Sequence, residues 1–357
     1  MCRIVFFIYF LFSGWSGLVA LAYAQNTKLI QDTEIEDALK LFAAPILKVA
    51  NLKSSSVKIY IVNDNQLNAF VAGGQKLFIN SGLLLRCERA NQLIGVIAHE
   101  TGHIAGGHLS RVHKALSRSS AQAVIGTLLG SAASIATGRG EIGAAIIAGG
   151  QNVAARNFLA YSRIQEGAAD HAALGFLDKT GQSARGLLEF MQILENQELL
   201  SIKQQDPYVQ SHPLSRDRIS AIENHISASP YSNIKDNPEF QAIFNRIKAK
   251  LFAYLQPYNR TVRAYPLIDK SLAARYARAI AEFKRSNLEK ALKIMDLIID
   301  EMPKDPYFRE MKGQMLYENG RIQDAVLAYT KAAHILPDAP YIRRDLARAQ
   351  MEIGVAI

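Results

Sequence analysis

Residues 99–103 read His-Glu-Thr-Gly-His, and this segment constrains the fold and chemistry of the chain more than any other. It follows an apolar stripe over residues 93–98, a pattern that predicts a buried helix. On a helix, His99 and His103 lie one turn apart on the same face, so both can offer a nitrogen to one Zn²⁺. Glu100 points to the side of this pair, where it can act as a base toward water.

A second acidic segment predicts the remaining protein ligand, because a hydrolytic zinc site needs three protein ligands and one open position. Glu166 and Asp170 are also four residues apart, on one face of a predicted second helix. Glu166 can reach the metal, and Asp170 can accept the free N–H of a liganding histidine. His108 and His171 compete as ligands, but His108 lies about 500° around a continuing helix from His103. We therefore predict Glu166 as the third ligand.

The rest of the first half reads as a small sheet beside helices, an α+β unit. A capping box that begins at Thr33 predicts the start of an amphipathic helix. Alternating residues over 57–61 predict a strand, and residues 69–79 predict a tight hairpin that turns at Gly73-Gly74.

The last third of the chain repeats with a period of 34 residues, with Ala279, Gly313 and Ala347 in one register. This pattern resembles about two and a half tetratricopeptide repeats, which predicts an all-α domain over residues 271–357. Residues 228–270 contain prolines around one helical patch and predict a helical connector.

The N-terminus predicts export. Arg3 precedes an almost wholly apolar stretch over residues 4–21, which ends in the small-residue site Ala22-Tyr23-Ala24. This is the layout of a signal peptide (residues 1–24) that is cleaved after Ala24, so we expect a periplasmic mature chain. The alternative is an uncleaved anchor helix, since about 20 residues can span a membrane.

Residues 121–155 are rich in Gly, Ala and Ser and contain only two charges, at Arg139 and Glu141. A close-packed pair of small-residue helices is the favoured interpretation. The alternative is a mobile lid, or a hairpin that makes peripheral contact with a membrane.

The formal net charge of +9 comes without a Lys/Arg block, so we expect a diffusely basic surface and no nucleic-acid partner. Only two cysteines exist, and Cys2 would leave with the signal peptide. Cys87 would then be alone, which excludes an intrachain disulfide and favours a buried, packed thiol.

Several motifs together resemble a family of zinc metallopeptidases that includes HtpX and the CAAX prenyl endopeptidases. The similarity runs from about Ile35 to Ile222 and rests on five segments, namely Asn68-Ala69-Phe70 and residues 81–84, 99–103, 166–170 and 211–219. It implies a zincin-like metallopeptidase domain over residues 25–227. Export and the C-terminal repeats place the chain beside a periplasmic branch of that family that acts in outer-membrane protein assembly.

The resemblance also assigns roles. It implies that His99, His103 and Glu166 bind one zinc ion, that Glu100 is the general base, and that Asp170 orients a ligand.

Residues outside these helices receive roles in substrate handling from the same resemblance. His212 and Arg218 would face the metal and hold the substrate or the oxyanion; alternatively, His212 binds zinc in the resting enzyme and shuts the open position. Asn68 would lie on the hairpin edge, where an extended peptide can pair as an added strand.

The sequence therefore predicts an exported zinc endopeptidase that cleaves unfolded or misassembled proteins in outer-membrane quality control. The repeats would dock on the assembly machinery. The rival hypothesis is an exported chaperone or scaffold whose metal site is vestigial. An integral membrane protease would need apolar spans of about 20 residues in the mature chain, and none is evident.

Overall fold

A four-stranded mixed sheet anchors the first half of the computed structural model, which describes residues 29–111, 162–198 and 206–354 and the single positions 120 and 148. The strands are β1 (Leu29–Ile30), β2 (Lys58–Val62), β3 (Ala69–Ala72) and β4 (Lys76–Asn80). Their spatial order is β1-β2-β4-β3, so β3 lies at one edge. Strands β2 and β4 are parallel, whereas β1 and β3 run antiparallel to their neighbours.

Helices cover this sheet and enclose the first core. They are α1 (Thr33–Val49), α2 (Ser81–Arg86), α3 (Ala90–Ala105), α4 (described over 162–179), α5 (Arg185–Glu198), α6 (Pro207–Ser211) and α7 (Arg216–Ala228). The core takes fully buried side chains from α1, the sheet, α3 and α5. Cys87 lies inside it as a free thiol, as the sequence predicts.

Local details of the first half agree with the sequence except at one cap. The hairpin between β3 and β4 turns at Gly73 and Gly74, whose φ angles of +54° and +92° suit glycine. The capping prediction at Thr33 is wrong by one residue. Asp32 is the N-cap, and its carboxylate accepts the backbone N–H of Ile35 at 2.9 Å, because its short acidic side chain is the better acceptor there.

The C-terminal half is entirely helical where it is described. It contains α8 (Pro238–Leu255), α9 (Tyr258–Ala264), α10 (Leu272–Lys284), α11 (Leu288–Glu301), α12 (Pro306–Glu318), α13 (Ile322–Ile335) and α14 (Pro340–Glu352). The starts of α10, α12 and α14 are 34 residues apart, and so are those of α11 and α13. At one register position, a Cβ on Gly313 would lie 2.7 Å from the Tyr329 ring, so only glycine permits this close approach.

Helix α8 lies between two cores, since Phe244, Ile247 and Leu251 belong to the first and Ala249 and Ala253 to the second. The connector predicted over residues 228–270 thus contains a helix that packs on both halves.

Two predicted segments fall outside the described residues, namely the signal peptide and nearly all of residues 121–155. Among the helices that are described, none has the length and apolarity needed to cross a membrane.

Candidate metal centre

The two histidines of α3 face each other at the centre of the candidate site. His99 is fully buried and His103 is half-buried. Their Nε2 atoms lie 3.0 Å apart, because the four-residue spacing stacks the two rings on one helical face. Two imidazole nitrogens at this distance need either a shared proton or a cation between them.

Two further donors converge on this pair from other elements. Glu166 on α4 places its carboxylate oxygens 3.4 Å from the Nε2 atoms of both His99 and His103. His212, which follows α6, places Nδ1 3.0 Å from Glu166 and 3.4 Å from His99 Nε2. One donor atom from each of the four residues lies within 4.8 Å of every other, so the structure brings together all three predicted ligands and a fourth.

The spacing of these donors suits a tetrahedral zinc ion. Four donors placed 2.0–2.1 Å from one tetrahedral ion lie roughly 3.4 Å from one another. Five of the six residue pairs at the site approach to 3.0–3.4 Å, and all four donors lie within 4.8 Å of one another. Three imidazole nitrogens and one carboxylate form a donor set that zinc accepts. The residues present therefore fit the ion that the sequence predicts.

Burial and neighbouring charges shift the pKa values of the two histidines in opposite directions. Burial lowers the pKa of His99, but Asp170 and Glu166 outweigh burial and raise it to about 10. Burial, together with the charge on His99, lowers the pKa of His103 to about 2. The two shifts are opposite because Asp170 and Glu166 favour the charged form of His99, whereas burial, followed by the charge on His99, disfavours the charged form of His103. A divalent cation would satisfy both lone pairs at once.

Asp170 and Arg218 contact the predicted ligands on the side away from the donor cluster. Asp170 Oδ1 lies 2.8 Å from Nδ1 of His99, the nitrogen that faces away from the donor cluster. Arg218 binds both oxygens of Asp170, with Nε at 2.6 Å and a terminal nitrogen at 2.9 Å. Its other terminal nitrogen is 3.2 Å from Glu166. Burial opposes ionisation of Asp170, but the Arg218 hydrogen bonds outweigh it and lower the Asp170 pKa.

Short helix α6 positions His212 against this cluster. Asp206, at its N-terminus, accepts the backbone N–H of Leu67 at 3.0 Å and pairs with Arg86 at 2.7 Å. The helix is thereby tied to the segment that leads into β3. His212 then caps its C-terminal end, with its N–H bonded to the Tyr208 carbonyl at 2.8 Å.

Glu100 lies beside the donors rather than among them. Its Oε1 accepts a hydrogen bond from the Tyr208 hydroxyl at 3.3 Å and lies 3.6 Å from His212 Nε2. Its Oε2 is buried and has no hydrogen-bond partner within the described parts of the chain. Burial raises the pKa of Glu100. A buried, unsatisfied carboxylate oxygen next to a metal site suits a base that accepts a proton from water.

The two ligand-bearing helices touch at Gly102. A Cβ at this position would lie 2.7 Å from the carbonyl oxygen of Ala169 on α4. Glycine therefore lets α3 and α4 come close enough for Glu166 to meet both histidines.

Other predicted residues lie around the centre. Asn68 directly precedes edge strand β3, and its side-chain oxygen is buried without a partner among the residues described. His171 is exposed and lies outside the donor group. His108 is also outside that group, but it contacts His103, which the sequence argument did not anticipate.

Tyr208 and Asp206 were also missed by the sequence analysis. Their only sequence signal is proximity to the His212 segment, because the hydrogen bonds of their side chains to Leu67 and Glu100 span more than 100 positions.

The site combines a histidine pair on α3, a carboxylate on α4 and a glutamate beside the pair. This combination defines the metallopeptidase class of site. Comparison with known proteins agrees. The profile of peptidase family M48 matches residues 30–226, and the chain belongs to this family.

Similarity to individual proteins extends beyond the family domain. The chain is 21% identical over 330 residues to the beta-barrel assembly-enhancing protease of Yersinia pestis, which covers 92% of this chain and 67% of that protein. The corresponding Escherichia coli K12 protease is 21% identical over 339 residues, with the same two shares. Metalloprotease YcaL of Escherichia coli K12 is 28% identical over 172 residues, 48% of this chain and 62% of that protein. Overall, the chain spans 59–67% of the length of the assembly-enhancing proteases it matches.

Proposed function

We propose that this chain is an exported, zinc-dependent endopeptidase that cleaves unfolded or misassembled polypeptides in outer-membrane protein quality control. The observation that carries the proposal is the convergence of four donor residues, three of them buried and His103 half-buried. Beside them lies Oε2 of Glu100, which has no hydrogen-bond partner among the described residues. His99, His103 and Glu166 hold the ion, and His212 supplies a fourth donor.

Glu100 performs the proton transfers. A bound zinc ion polarises a peptide carbonyl and lowers the pKa of a nearby water toward about 7. Glu100 takes the proton from that water and passes it to the departing amine. Burial raises the pKa of Glu100, so this carboxylate accepts a proton more readily than an exposed one.

His212 has two functions in the proposal. Its Nδ1 lies 3.4 Å from His99 Nε2 and 3.0 Å from Glu166, so His212 would serve as a fourth donor and close the position that a substrate carbonyl needs. When the segment between α6 and α7 moves, His212 leaves this position and the substrate enters. His212 and Arg218 then stabilise the oxyanion.

The edge of the sheet selects extended substrates. Strand β3 has a free side, and Asn68 lies at its start with an unsatisfied buried oxygen within the described structure. An unfolded segment can add to β3 as a further strand, with Asn68 binding its backbone. Folded proteins rarely offer a free strand, so this surface favours unfolded chains.

The surroundings of the enzyme follow from three features. The N-terminal 24 residues supply export to the periplasm, and the 34-residue helical pairs form tetratricopeptide repeats that dock on assembly machinery. The names of the assembly-enhancing proteases support a role in the quality control of β-barrel proteins.

The test compares the wild-type chain with Glu100→Gln. We expect wild type to bind one zinc ion per chain and to degrade unfolded casein in a chelator-sensitive manner. Glu100→Gln should bind zinc equally and lose activity by about 10²-fold or more, because only the base is removed. The matched control Glu195→Gln, at an exposed position on α5, should keep full activity. Normal casein cleavage by Glu100→Gln would refute the assignment of the base.

A scaffold or chaperone with a vestigial metal site is the second candidate, and the helical pairs of the C-terminal half favour it. Metal binding alone does not need Glu100, so its presence beside the donors supports the enzyme. If wild type suppresses casein aggregation but never cleaves casein, the scaffold is the correct function.

A further inference from the structure

Two consecutive glycines end α3 and reverse the chain beneath the metal centre. Helix α3 stops at Ala105, and Gly107 has φ +62°, a conformation that side chains disfavour. Residues 108–111, the last described before residue 112, are again helical. The chain therefore does not continue along the axis of α3, and His108 returns toward His103.

His108 contacts the proposed ligand His103 at the ring nitrogen that faces away from the donor cluster. Its side chain is buried, and its Nδ1 lies 2.9 Å from Nδ1 of His103, with the two rings edge to face. The other nitrogen of His103, Nε2, faces His99 and Glu166. His108 thus contacts the nitrogen that is not available to the ion.

The same relation exists at the other helical ligand. Asp170 lies 2.8 Å from Nδ1 of His99, whose Nε2 faces the donor cluster. Each histidine of α3 therefore has a buried polar side chain within 3 Å of Nδ1, while its Nε2 faces the donor cluster. Partners of this kind fix the tautomer and the ring orientation of a ligand.

We propose that His108 is a positioning residue for zinc, which rests on the proposed role of His103 as a ligand. The Nδ1–H of His103 donates to the unprotonated Nδ1 of His108, which carries its own hydrogen on Nε2. This bond fixes the tautomer of His103 that presents Nε2 to the ion. His108 does not itself bind zinc, since its contact is made behind the ligand and it is absent from the converging donors.

The backbone is shaped to receive this ring. A Cβ on Gly106 would lie 2.3 Å from Nε2 of His108, so the imidazole packs directly against the glycine backbone. Gly106 itself has φ −71°, which any residue adopts. Its lack of a side chain is therefore needed for the His108 ring and not for the local backbone.

Zinc affinity of the purified full chain, measured by competition with a chelator, tests the proposal. His108→Leu removes the acceptor and should weaken zinc binding 10–100-fold. His108→Asn should remain within a few-fold of wild type, because Oδ1 of asparagine takes the place of Nδ1. Gly106→Ala should also weaken binding, since it displaces the ring. The matched control His225→Leu, on α7 and outside the donor group, should leave the affinity unchanged.

The outcomes separate this role from a structural one. We expect the zinc-free forms of His108→Leu and His108→Asn to melt at the same temperature and to differ only in zinc affinity. Equal affinity of His108→Leu and wild type would overturn the role of His108 alone. Equal loss in both variants, with a lower melting temperature, would show a packing role instead. A wild-type chain that binds no zinc would overturn this role and the proposed function together.

Discussion

Arg218 is the residue whose contacts most extend its predicted role. The family resemblance implies that Arg218 holds the substrate or the oxyanion, and the structure adds a two-point bond to Asp170 and a contact with Glu166. Both side chains are buried, so removing Arg218 would leave the Asp170 charge buried and unpaired, which costs free energy of folding. Arg218 therefore orients His99 through Asp170, whatever it does during catalysis.

Replacing Arg218 with lysine tests this orienting role. Lysine keeps the charge but cannot make the bidentate hydrogen bond to both oxygens of Asp170. Asp170 would then fix the orientation of the His99 ring less well. We expect Arg218→Lys to weaken zinc binding roughly 10-fold in a chelator competition. Arg216→Lys, at an exposed position on the same helix, is the control and should bind as wild type does. Unchanged zinc affinity with a reduced kcat would leave only the oxyanion role.

Contacts between residues close in sequence could be predicted, whereas contacts between residues far apart in sequence could not. The spacing of His99 and His103 fixes their geometry, because one helical turn determines it. The fourth position could not be settled in the same way, since His212 meets His99 across 113 residues. His108 was rejected as a ligand and lies outside the donor group. Its contact with His103 was missed because a continuous helix was assumed, whereas α3 ends at Ala105 and Gly107 has a positive φ. The consecutive glycines Gly106 and Gly107 were the sequence signal that α3 ends before His108.

Among helices and strands, the contact between α3 and α4 decides whether a metal site forms at all. These two helices carry all the predicted ligands, and they touch where a Cβ on Gly102 would meet the backbone of Ala169. Backbone atoms cannot rotate away as a side-chain tip can. A larger residue at this position must therefore separate the helices.

Gly102→Ala should accordingly weaken zinc binding at least about 10-fold and lower the free energy of unfolding by about 1–3 kcal/mol. The control is Gly167→Ala on α4, where a Cβ meets nothing within 4 Å. That change should raise stability by about 0.5–1 kcal/mol, because alanine favours the helix, and should leave zinc binding unaltered. Chelator competition and chemical denaturation measure both effects. Wild-type zinc affinity in Gly102→Ala would contradict this account of the helix contact.

The elements themselves were largely readable from the sequence. Alternation and the two glycines gave the β3–β4 hairpin, since a tight turn needs positive φ at those positions. The parallel pairing of β2 with β4 was not predicted, because no local pattern encodes which strands become neighbours. The family resemblance implied an edge at this hairpin, and the strand order β1-β2-β4-β3 places β3 there.

Across the whole molecule, the N-terminus of α1 joins the peptidase part to the C-terminal helices. Glu34 is buried and lies 2.5 Å from Arg246 and 3.1 Å from Lys250, and the Tyr276 hydroxyl donates to it at 3.1 Å. The hydroxyl of Thr33 donates to Glu310 on α12 at 2.8 Å. These pairs are more than 200 residues apart in sequence, so no periodicity could have revealed them. The two halves therefore stabilise each other.

Glu310 should make this junction sensitive to pH. Burial raises its pKa to about 7, although nearby Lys250 and the Thr33 hydroxyl oppose the shift. Asp32 and Glu34 also face it and disfavour its negative charge. Between about pH 4.5 and 7, folded Glu310 keeps a proton that the unfolded chain has released. The free energy of unfolding should therefore fall as pH rises through this window, by up to about 3 kcal/mol.

Glu310→Gln isolates this contribution, because glutamine stays neutral at every pH. Denaturation midpoints of the full chain, measured from pH 4.5 to 8, should decline less steeply in Glu310→Gln than in wild type. The variant should be the more stable of the two above pH 7, where folded wild type carries a buried charge. Exposed Glu318 on the same helix gives the control Glu318→Gln, which should follow the wild-type curve. Parallel curves for wild type and Glu310→Gln would mean that Lys250 neutralises Glu310 fully, and the junction would then be insensitive to pH.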